Sequence, residues 1–244
     1  MALAVRERED WPALCTCLGS GGLQAPLQAY ANCVPAPMPP GIPAAADGGN
    51  RLAEAMKSWT TRDLMLAAAL GAAFGVLFEG ANIAYALYKS LLGDVFSNLG
   101  YGLWISAGVA VPYVLRRPGA AVAGELLAGF ISMVIGSQWG ADVMLSALVQ
   151  GIGCEAAFAL GGWKRYSPPF VLLAGAMGGA AAFGHDYLIY GYQGLSHMLV
   201  GVTAAVIVAS GALLGGLLPK ALMDALVAAG VLDNTPLGRE RRTA

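Results

Sequence analysis

Charged residues are scarce in this chain of 244 residues. Asp, Glu, Lys and Arg make up 12% of it, whereas soluble globular domains carry about 25%. Histidine contributes 2 residues and cysteine 4. So little charge excludes an ordinary soluble domain, and a formal net charge of −1 provides no basic surface for nucleic acid.

Sequence motifs of catalysis are also missing. The chain has no Gly-x-Ser-x-Gly, no His-Glu-x-x-His and no Walker Gly-x-x-x-x-Gly-Lys-Ser/Thr motif. We therefore expect no enzymatic activity, no cofactor and no ATP hydrolysis by the chain itself. Cys15 and Cys17 form a Cys-x-Cys pair with no histidine nearby, and because zinc sites need four ligands we expect no metal site.

Long apolar runs are what the chain has in abundance. Hydrophobic residues make up 57% of it, and its mean hydropathy is +0.62. The runs reach about 20 residues, which is the length that crosses a bilayer core, and they lack the alternation of membrane strands. The sequence predicts an all-α polytopic membrane protein with six transmembrane helices at 63–91, 99–115, 119–136, 143–162, 170–190 and 197–218.

Basic residues predict the orientation of these helices. From Met56 onward, Lys and Arg fall in the connections on one side of the predicted spans, and Lys89 stands alone on the other. Because cytoplasmic loops are enriched in Lys and Arg, both termini are predicted to be cytoplasmic. The residues on the basic side are Lys57, Arg62, Arg116, Arg117, Lys164, Arg165, Lys220, Arg239, Arg241 and Arg242.

The chain divides into three parts by composition. Residues 1–57 mix Pro, Gly, Ala and charge, and we predict a disordered N-terminal extension. An alternative is an over-long gene model whose true start is Met56. Residues 58–218 form the six-helix transmembrane domain, and residues 219–244 are predicted to be a short amphipathic helix and a polar cytoplasmic tail.

Polar and aromatic residues collect at the ends of the spans opposite the basic connections. The segment Gly136–Asp142 (GSQWGAD) is the clearest example, because membrane helices rarely carry such residues without a ligand or a partner. Simpler interpretations are aromatic belts, a helix cap for Asp142 and a structural role for His197. The predicted substrate-binding residues are Glu79, Asn82, Trp104, Gln138, Trp139, His185 and Asp186.

Two further features lie within the predicted helices. Glu125 and Glu155 are predicted to lie at similar depth in the inner half of adjacent helices. There they could hydrogen-bond to each other or to backbone groups, contact a partner subunit, or relay protons. The first helix also carries small residues at fourfold spacing, a pattern that favours close helix packing. The stripe is formed by Ala67, Ala68, Gly71, Ala72 and Gly75. We predict that it is a subunit interface, and the alternative is internal packing.

Four sequence segments together resemble one family. YGLW at 101–104, VPYVLRRPGAAVAGELLAGF at 111–130, GSQWG at 136–140 and VQGIGCEAAFALGGWKRY at 149–166 are similar to the YkoE family, over roughly residues 58–218. These proteins are the substrate-binding S components of energy-coupling-factor (ECF) transporters, associated with thiamine or its pyrimidine precursor. The chain departs from the family at Ser132, where an acidic residue is common.

The resemblance implies a six-helix bundle in the plasma membrane of a prokaryote, with an outward-opening pocket for thiamine or hydroxymethylpyrimidine. It also implies a coupling transmembrane subunit and two ATPase subunits as partners, with the small-residue stripe docking on the coupling subunit. Two alternatives stay open. One is a self-sufficient proton-coupled permease for a small cationic solute that uses Glu125 and Glu155, and the other is a ligand-free membrane scaffold protein.

Overall fold

The computed structural model of the chain describes residues 59–243, apart from the side chains of Asp94 and Thr243. Within that range the fold is all-helical and contains no strand, as predicted. The prediction for residues 1–57 lies outside the described range. The α-helices are α1 (Thr61–Phe96), α2 (Ala107–Leu115), α3 (Ala120–Ile135), α4 (Asp142–Leu160), α5 (Pro168–Ile189), α6 (His197–Ser210), α7 (Leu218–Ala228) and α8 (Pro236–Thr243).

Helix α1 is fixed at its first residues to the turn between α2 and α3. Thr60 and Asp63 form a capping box, in which each side chain accepts a hydrogen bond from the other residue's backbone N–H. Asp63 also pairs with Arg117 at 3.3 Å, and the Trp59 indole donates to the carbonyl of Pro118 at 3.1 Å. Helix α1 then packs along α3, which packs on α4, which packs on α5.

The predicted helix over 99–115 is wrong in its first half. Residues Ser97–Ile105 form a 3-10 helix, and α2 begins only at Ala107. A contact with α6 accounts for the difference. The Ser210 hydroxyl accepts from the backbone N–H of Gly102 at 2.9 Å and donates to the carbonyl of Leu99 at 2.6 Å, so these backbone groups are bonded outside their own helix.

Helical structure occurs at all six predicted transmembrane positions. Among the described residues, three helices are long and apolar enough to cross a bilayer: Thr61–Gly93, Asp142–Leu160 and His197–Ala228. Ala120–Ile135 is apolar but shorter. Six crossings, and the placement of both termini in the cytoplasm, stay predictions.

The C-terminal end of the bundle is held by a group of side chains that we call the C-terminal cluster: Tyr113, Arg116, Tyr166, Asp224 and Arg241. The Arg116 guanidinium lies 3.9 Å from the ring centroid of Tyr166 and 4.8 Å from that of Tyr113. Asp224 accepts from the Tyr113 hydroxyl at 2.7 Å and pairs with Arg241 at 2.6 Å. Burial lowers the pKa of the Arg116 guanidinium and raises the pKa of the Tyr166 phenol.

Two more contacts tie the end of the chain to this cluster. Arg116 forms an ion pair with Glu240 of α8 at 3.1 Å, and Lys220 pairs with Asp224 within α7 at 2.6 Å. A π-helical segment, Gly211–Leu217, joins α6 to α7 without a break. The short amphipathic helix predicted within residues 219–244 therefore corresponds to α7, which continues α6, and the predicted polar tail contains α8.

Candidate functional site

A cavity of about 620 Å³ lies at the end of the bundle opposite the C-terminal cluster. Side chains from α1, the 3-10 segment, α3, α4, α5 and α6 line it, together with the turns after α3 and α5. A volume of several hundred Å³ is typical of sites for small molecules. The polar residues of this cavity fall into three groups at different depths.

Asn82 organises the first group. Its side-chain oxygen accepts from the indole N–H groups of Trp104 at 3.1 Å and Trp139 at 3.2 Å. Its amide nitrogen donates to Glu79 at 2.8 Å and to the Ser137 hydroxyl at 3.2 Å. A primary amide offers two donors and two acceptor positions. All four hydrogen-bonding positions of the Asn82 side chain are therefore occupied by protein groups. The amide is thus the shared hydrogen-bond acceptor of the two tryptophan indoles.

Aromatic rings surround this amide and form what we call the aromatic box: Tyr85, Tyr101, Trp104, Trp139 and Tyr190. The centroid of the Tyr85 ring lies 5.6 Å from that of Trp104 and 5.5 Å from that of Trp139. Tyr101 packs edge-on to Trp104 at 5.3 Å, and Tyr190 packs edge-on to Trp139 at 5.5 Å. All five rings line the cavity, so it presents π surfaces that attract a flat or cationic ligand.

Two carboxylates stand beside the aromatic box. Asp142 and Asp186 line the cavity, and His185 lies behind them. One ring nitrogen of His185 is 2.9 Å from Asp186, and the other is 3.3 Å from Asp142. Tyr190 donates to the second oxygen of Asp142. A single imidazole thus bridges two acids, and Lys89 also lines the cavity.

The deepest group consists of Glu125, Gln150 and Thr203, which come from α3, α4 and α6. All three side chains are buried and line the cavity. Each has one oxygen that has no hydrogen-bond partner among residues 59–243: Oε2 of Glu125, Oε1 of Gln150 and Oγ1 of Thr203. Buried polar atoms without a partner are rare in folded proteins, so three at one end of one cavity indicate a polar ligand.

Comparisons with known proteins identify the family to which the chain belongs. Residues 62–181 match the family described as ABC-type cobalt transport system, permease component. The chain is 33% identical over 189 residues to the "Putative HMP/thiamine permease protein YkoE" of Bacillus subtilis (strain 168), covering 76% of this chain and 93% of the relative. The chain belongs to the YkoE family. A crystal structure of an S-component of an ECF transporter has the same fold, with a TM-score of 0.74, 32% identity and coverage of 76% and 94%.

The cavity of this S component contains four of the seven residues predicted to bind substrate, namely Asn82, Trp104, Trp139 and Asp186. The other three do not line it. Glu79 accepts from Asn82 and from Ser132 and so supports the Asn82 amide from behind. His185 supports the two aspartates in the same way, and Gln138 is exposed, with its amide 3.4 Å from the carbonyl of Asn82.

Asp142 also differs from its simpler interpretation as a helix cap. It is the first residue of α4, and the N-cap position is Ala141. Its carboxylate is bonded to His185 and Tyr190 instead. Among the described residues, no group of three or more His, Cys, Asp or Glu side chains is placed to hold a metal ion.

The two acids Glu125 and Glu155 serve separate parts of the S component. Glu125 accepts from the backbone N–H of Gly108 at 2.6 Å and belongs to the deep end of the cavity. Glu155 accepts from the backbone of Gly119 and Ala121 at the first turn of α3, at 2.7 and 2.9 Å, and from the Trp163 indole at 2.6 Å. A carboxylate at this position satisfies helix N–H groups and the helix dipole, so the pair does not form a single unit.

The small residues of α1 divide between two faces. A Cβ at Gly71 would lie 2.5 Å from Cβ of Leu127, and one at Gly75 would lie 2.6 Å from Cβ of Ile131. These two glycines therefore allow α1 to pack closely on α3, and Ala67 is also buried. The three residues face the inside of the bundle, so they do not form an external groove for another subunit. Ala68 is exposed and Ala72 half-buried, so the interface prediction continues to apply to them.

Sequence reasoning did not find the deep group as binding residues. Gln150 and Thr203 are single polar residues in apolar helices, and in a membrane protein that is a signal of function. Gln150 also begins the Gln-Gly-x-Gly-x-Glu segment at 150–155. What sequence cannot show is that these residues face the same cavity as Trp139, because α4 and α6 come together only in the folded chain.

Proposed function

We propose that this chain is the substrate-binding subunit of an ECF importer and that it captures thiamine or its hydroxymethylpyrimidine precursor. The observation that carries the proposal is the aromatic box beside Asp142 and Asp186. Thiamine combines a flat aminopyrimidine with a cationic thiazolium ring. Indole faces attract such a cation by about 0.5–2 kcal/mol, and the carboxylates of Asp142 and Asp186, which line the same cavity, support the binding of a cation.

A binding measurement tests this proposal directly. Isothermal titration of the purified protein with thiamine, and separately with hydroxymethylpyrimidine, should give a micromolar or tighter dissociation constant for at least one of them. Trp139→Phe should weaken binding about tenfold, because the ring loses its N–H bond to Asn82. Trp163→Phe is the matched control at the opposite end of the bundle and should leave affinity unchanged. No heat from either compound would contradict the substrate assignment.

We propose further that the cavity opens to the outside of the cell, with both termini in the cytoplasm. The distribution of basic residues supports this orientation. An amine-reactive reagent that does not cross membranes, applied to intact cells, should modify Lys89 near the cavity and spare Lys164. Modification of Lys164 without permeabilisation would reverse the orientation.

Energy for uptake would come from two ATPase subunits through a coupling subunit that contacts the exposed side of α1 near Ala68. Ala68→Leu should reduce co-purification with the coupling subunit without changing thermal stability. Gly75→Val is the contrasting variant, because its side chain would clash with Ile131 and should destabilise the isolated protein. In proteoliposomes a pH gradient alone should drive no uptake. Uptake under those conditions would favour the proton-coupled permease.

A further inference from the structure

The segment after α7, which contains α8, holds its own shape. We call residues 230–243 the latch. The Thr235 hydroxyl donates to the carbonyl of Leu232 at 2.7 Å and accepts from the backbone N–H of Gly238 at 3.1 Å. A Cβ at Gly238 would lie 2.3 Å from the same carbonyl oxygen, so the turn before α8 is tightly closed. Bonds within the segment let it move as one piece.

The latch meets the bundle through the buried side chain of Leu237 and through ion pairs near the surface. Glu240 pairs with Arg116 at 3.1 Å, and Arg241 pairs with Asp224 at 2.6 Å. The side chains of Glu240 and Arg241 are 65% and 50% exposed. Ion pairs this exposed add little stability and are weakened by salt. A helix as short as α8 is also unstable by itself in water, so the docked position is weakly favoured.

Undocking of the latch leaves the charges of the bundle with partners. When Arg241 leaves, Asp224 keeps the Lys220 ammonium at 2.6 Å and the Tyr113 hydroxyl at 2.7 Å. Arg116 keeps the two tyrosine rings on which it stacks and gains contact with water. The bundle therefore loses no essential hydrogen bond when the latch opens.

The docked latch, in contrast, lies over polar atoms that it does not satisfy. Among residues 59–243, Nε of Arg116 and the hydroxyl of Tyr166 are buried without a hydrogen-bond partner. Burial lowers the pKa of Arg116 and raises the pKa of Tyr166, and Glu240 lies close enough to raise both pKa values. Buried polar atoms without partners cost free energy that contact with water recovers, and this cost opposes docking.

We propose that residues 230–243 undock as one unit while helices α1–α7 stay folded, and that this opening determines when Arg116 is accessible from solvent. Gly230 provides the hinge. It follows the end of α7 with φ 80°, and a Cβ built there lies in open space. The inference goes beyond the proposed function and does not depend on the ligand of the cavity.

Hydrogen exchange of the full chain in detergent, followed by mass spectrometry, tests the opening. Leu237→Asn removes the buried apolar contact and should raise exchange about tenfold throughout residues 230–243, but not in α2 or α5. Because the ion pairs are exposed, raising NaCl from about 50 to about 500 mM should also raise exchange in the wild-type latch about threefold. Lys164→Gln, at an exposed residue, is the control and should leave exchange in the latch unchanged.

Chemical modification tests the accessibility of Arg116. Phenylglyoxal, which reacts with arginine side chains, should modify Arg116 about fivefold faster in Leu237→Asn than in the wild-type protein, because local opening exposes the guanidinium. Glu240→Gln should have the same effect. Arg62 and Arg165 are already exposed, so their rates are internal controls and should not change.

Thermal unfolding separates a latch from an integral part of the bundle. If the latch opens independently, Leu237→Asn should unfold within about 4 °C of the wild-type protein. A larger decrease, with exchange rising equally in α2 and in residues 230–243, would overturn the inference. Faster exchange in the latch without faster modification of Arg116 would also overturn it. Neither measurement uses a ligand, so failure of thiamine to bind would overturn the proposed function alone.

Discussion

The two ends of this bundle use polar residues in opposite ways. At the C-terminal cluster, Asp224 meets Lys220, Arg241 and the Tyr113 hydroxyl, and Arg116 meets Glu240 and two tyrosine rings. At the cavity, two carboxylates share one imidazole, and three buried oxygens have no partner among residues 59–243. The C-terminal cluster also has buried polar atoms without a partner among residues 59–243, Nε of Arg116 and the hydroxyl of Tyr166. The difference lies in the carboxylates: the first end pairs them with Lys and Arg, whereas the second pairs two aspartates with one histidine.

The largest effect that this comparison predicts is at Asn82. Asn82→Leu removes the acceptor shared by both indoles and leaves Glu79 without one of its donors. Loss of several buried hydrogen bonds, each worth about 1–3 kcal/mol when a partner is left unsatisfied, should lower thiamine affinity more than 100-fold in titration calorimetry. Asn234→Leu, in the turn before α8, is the control. A loss below tenfold would mean that the aromatic box is positioned by packing alone.

The second prediction concerns the charge at the rim. Asp142→Asn replaces a carboxylate that lines the cavity with a neutral amide and should weaken thiamine binding about tenfold. Hydroxymethylpyrimidine carries no permanent charge, so its affinity should fall less. Calorimetry with both compounds measures the difference. Equal losses would show that Asp142 acts through its hydrogen bonds to His185 and Tyr190 and not through its charge.

At the C-terminal cluster, Arg116→Ala should lower the free energy of unfolding and leave thiamine affinity unchanged. The side chain contributes stacking on Tyr113 and Tyr166 and an ion pair with Glu240, so we expect a loss of about 1–3 kcal/mol. Arg116 has φ 56°, in the left-handed region where glycine is favoured. Arg116→Gly should therefore cost less than Arg116→Ala in thermal unfolding, with thiamine affinity unchanged in both variants.

The smallest predicted effect is at Tyr113. Tyr113→Phe keeps the ring beside Arg116 and removes the hydroxyl that donates to Asp224. We expect a decrease of about 0.5–1.5 kcal/mol in the free energy of unfolding, measured by thermal or denaturant unfolding in detergent. Tyr88→Phe, on an exposed part of α1, is the matched control. A decrease in ligand affinity in Tyr113→Phe would mean that the two ends are coupled.

Local sequence patterns predicted the elements that depend on local interactions. Apolar runs located the helices, and α1, predicted at 63–91, is observed at Thr61–Phe96. The same patterns misjudged residues 99–105, because the backbone of Gly102 bonds to Ser210, which is 108 positions away. The all-helical fold was thus predictable from composition, whereas the 3-10 segment required the tertiary contact.

The candidate site was predicted in the same uneven way. Tryptophan and carboxylate residues in membrane helices are conspicuous, and Trp104, Trp139 and Asp186 do line the cavity. Glu79 and His185 were just as conspicuous, but they bond to other protein groups behind the cavity wall. Whether a polar residue faces the ligand or supports one that does depends on the helix rotation, which the sequence alone does not give.

The bond between Ser210 and the 3-10 segment has a consequence for biosynthesis. Leu99 and Gly102 leave the ribosome about 5–20 seconds before Ser210, at usual rates of elongation. During that interval the carbonyl of Leu99 and the N–H of Gly102 have no access to the hydroxyl that later satisfies them, and lipid offers no substitute. We therefore expect residues 97–105 to stay in contact with water or with the insertion machinery until α6 arrives, so that the cavity is completed only after α6 has been synthesised.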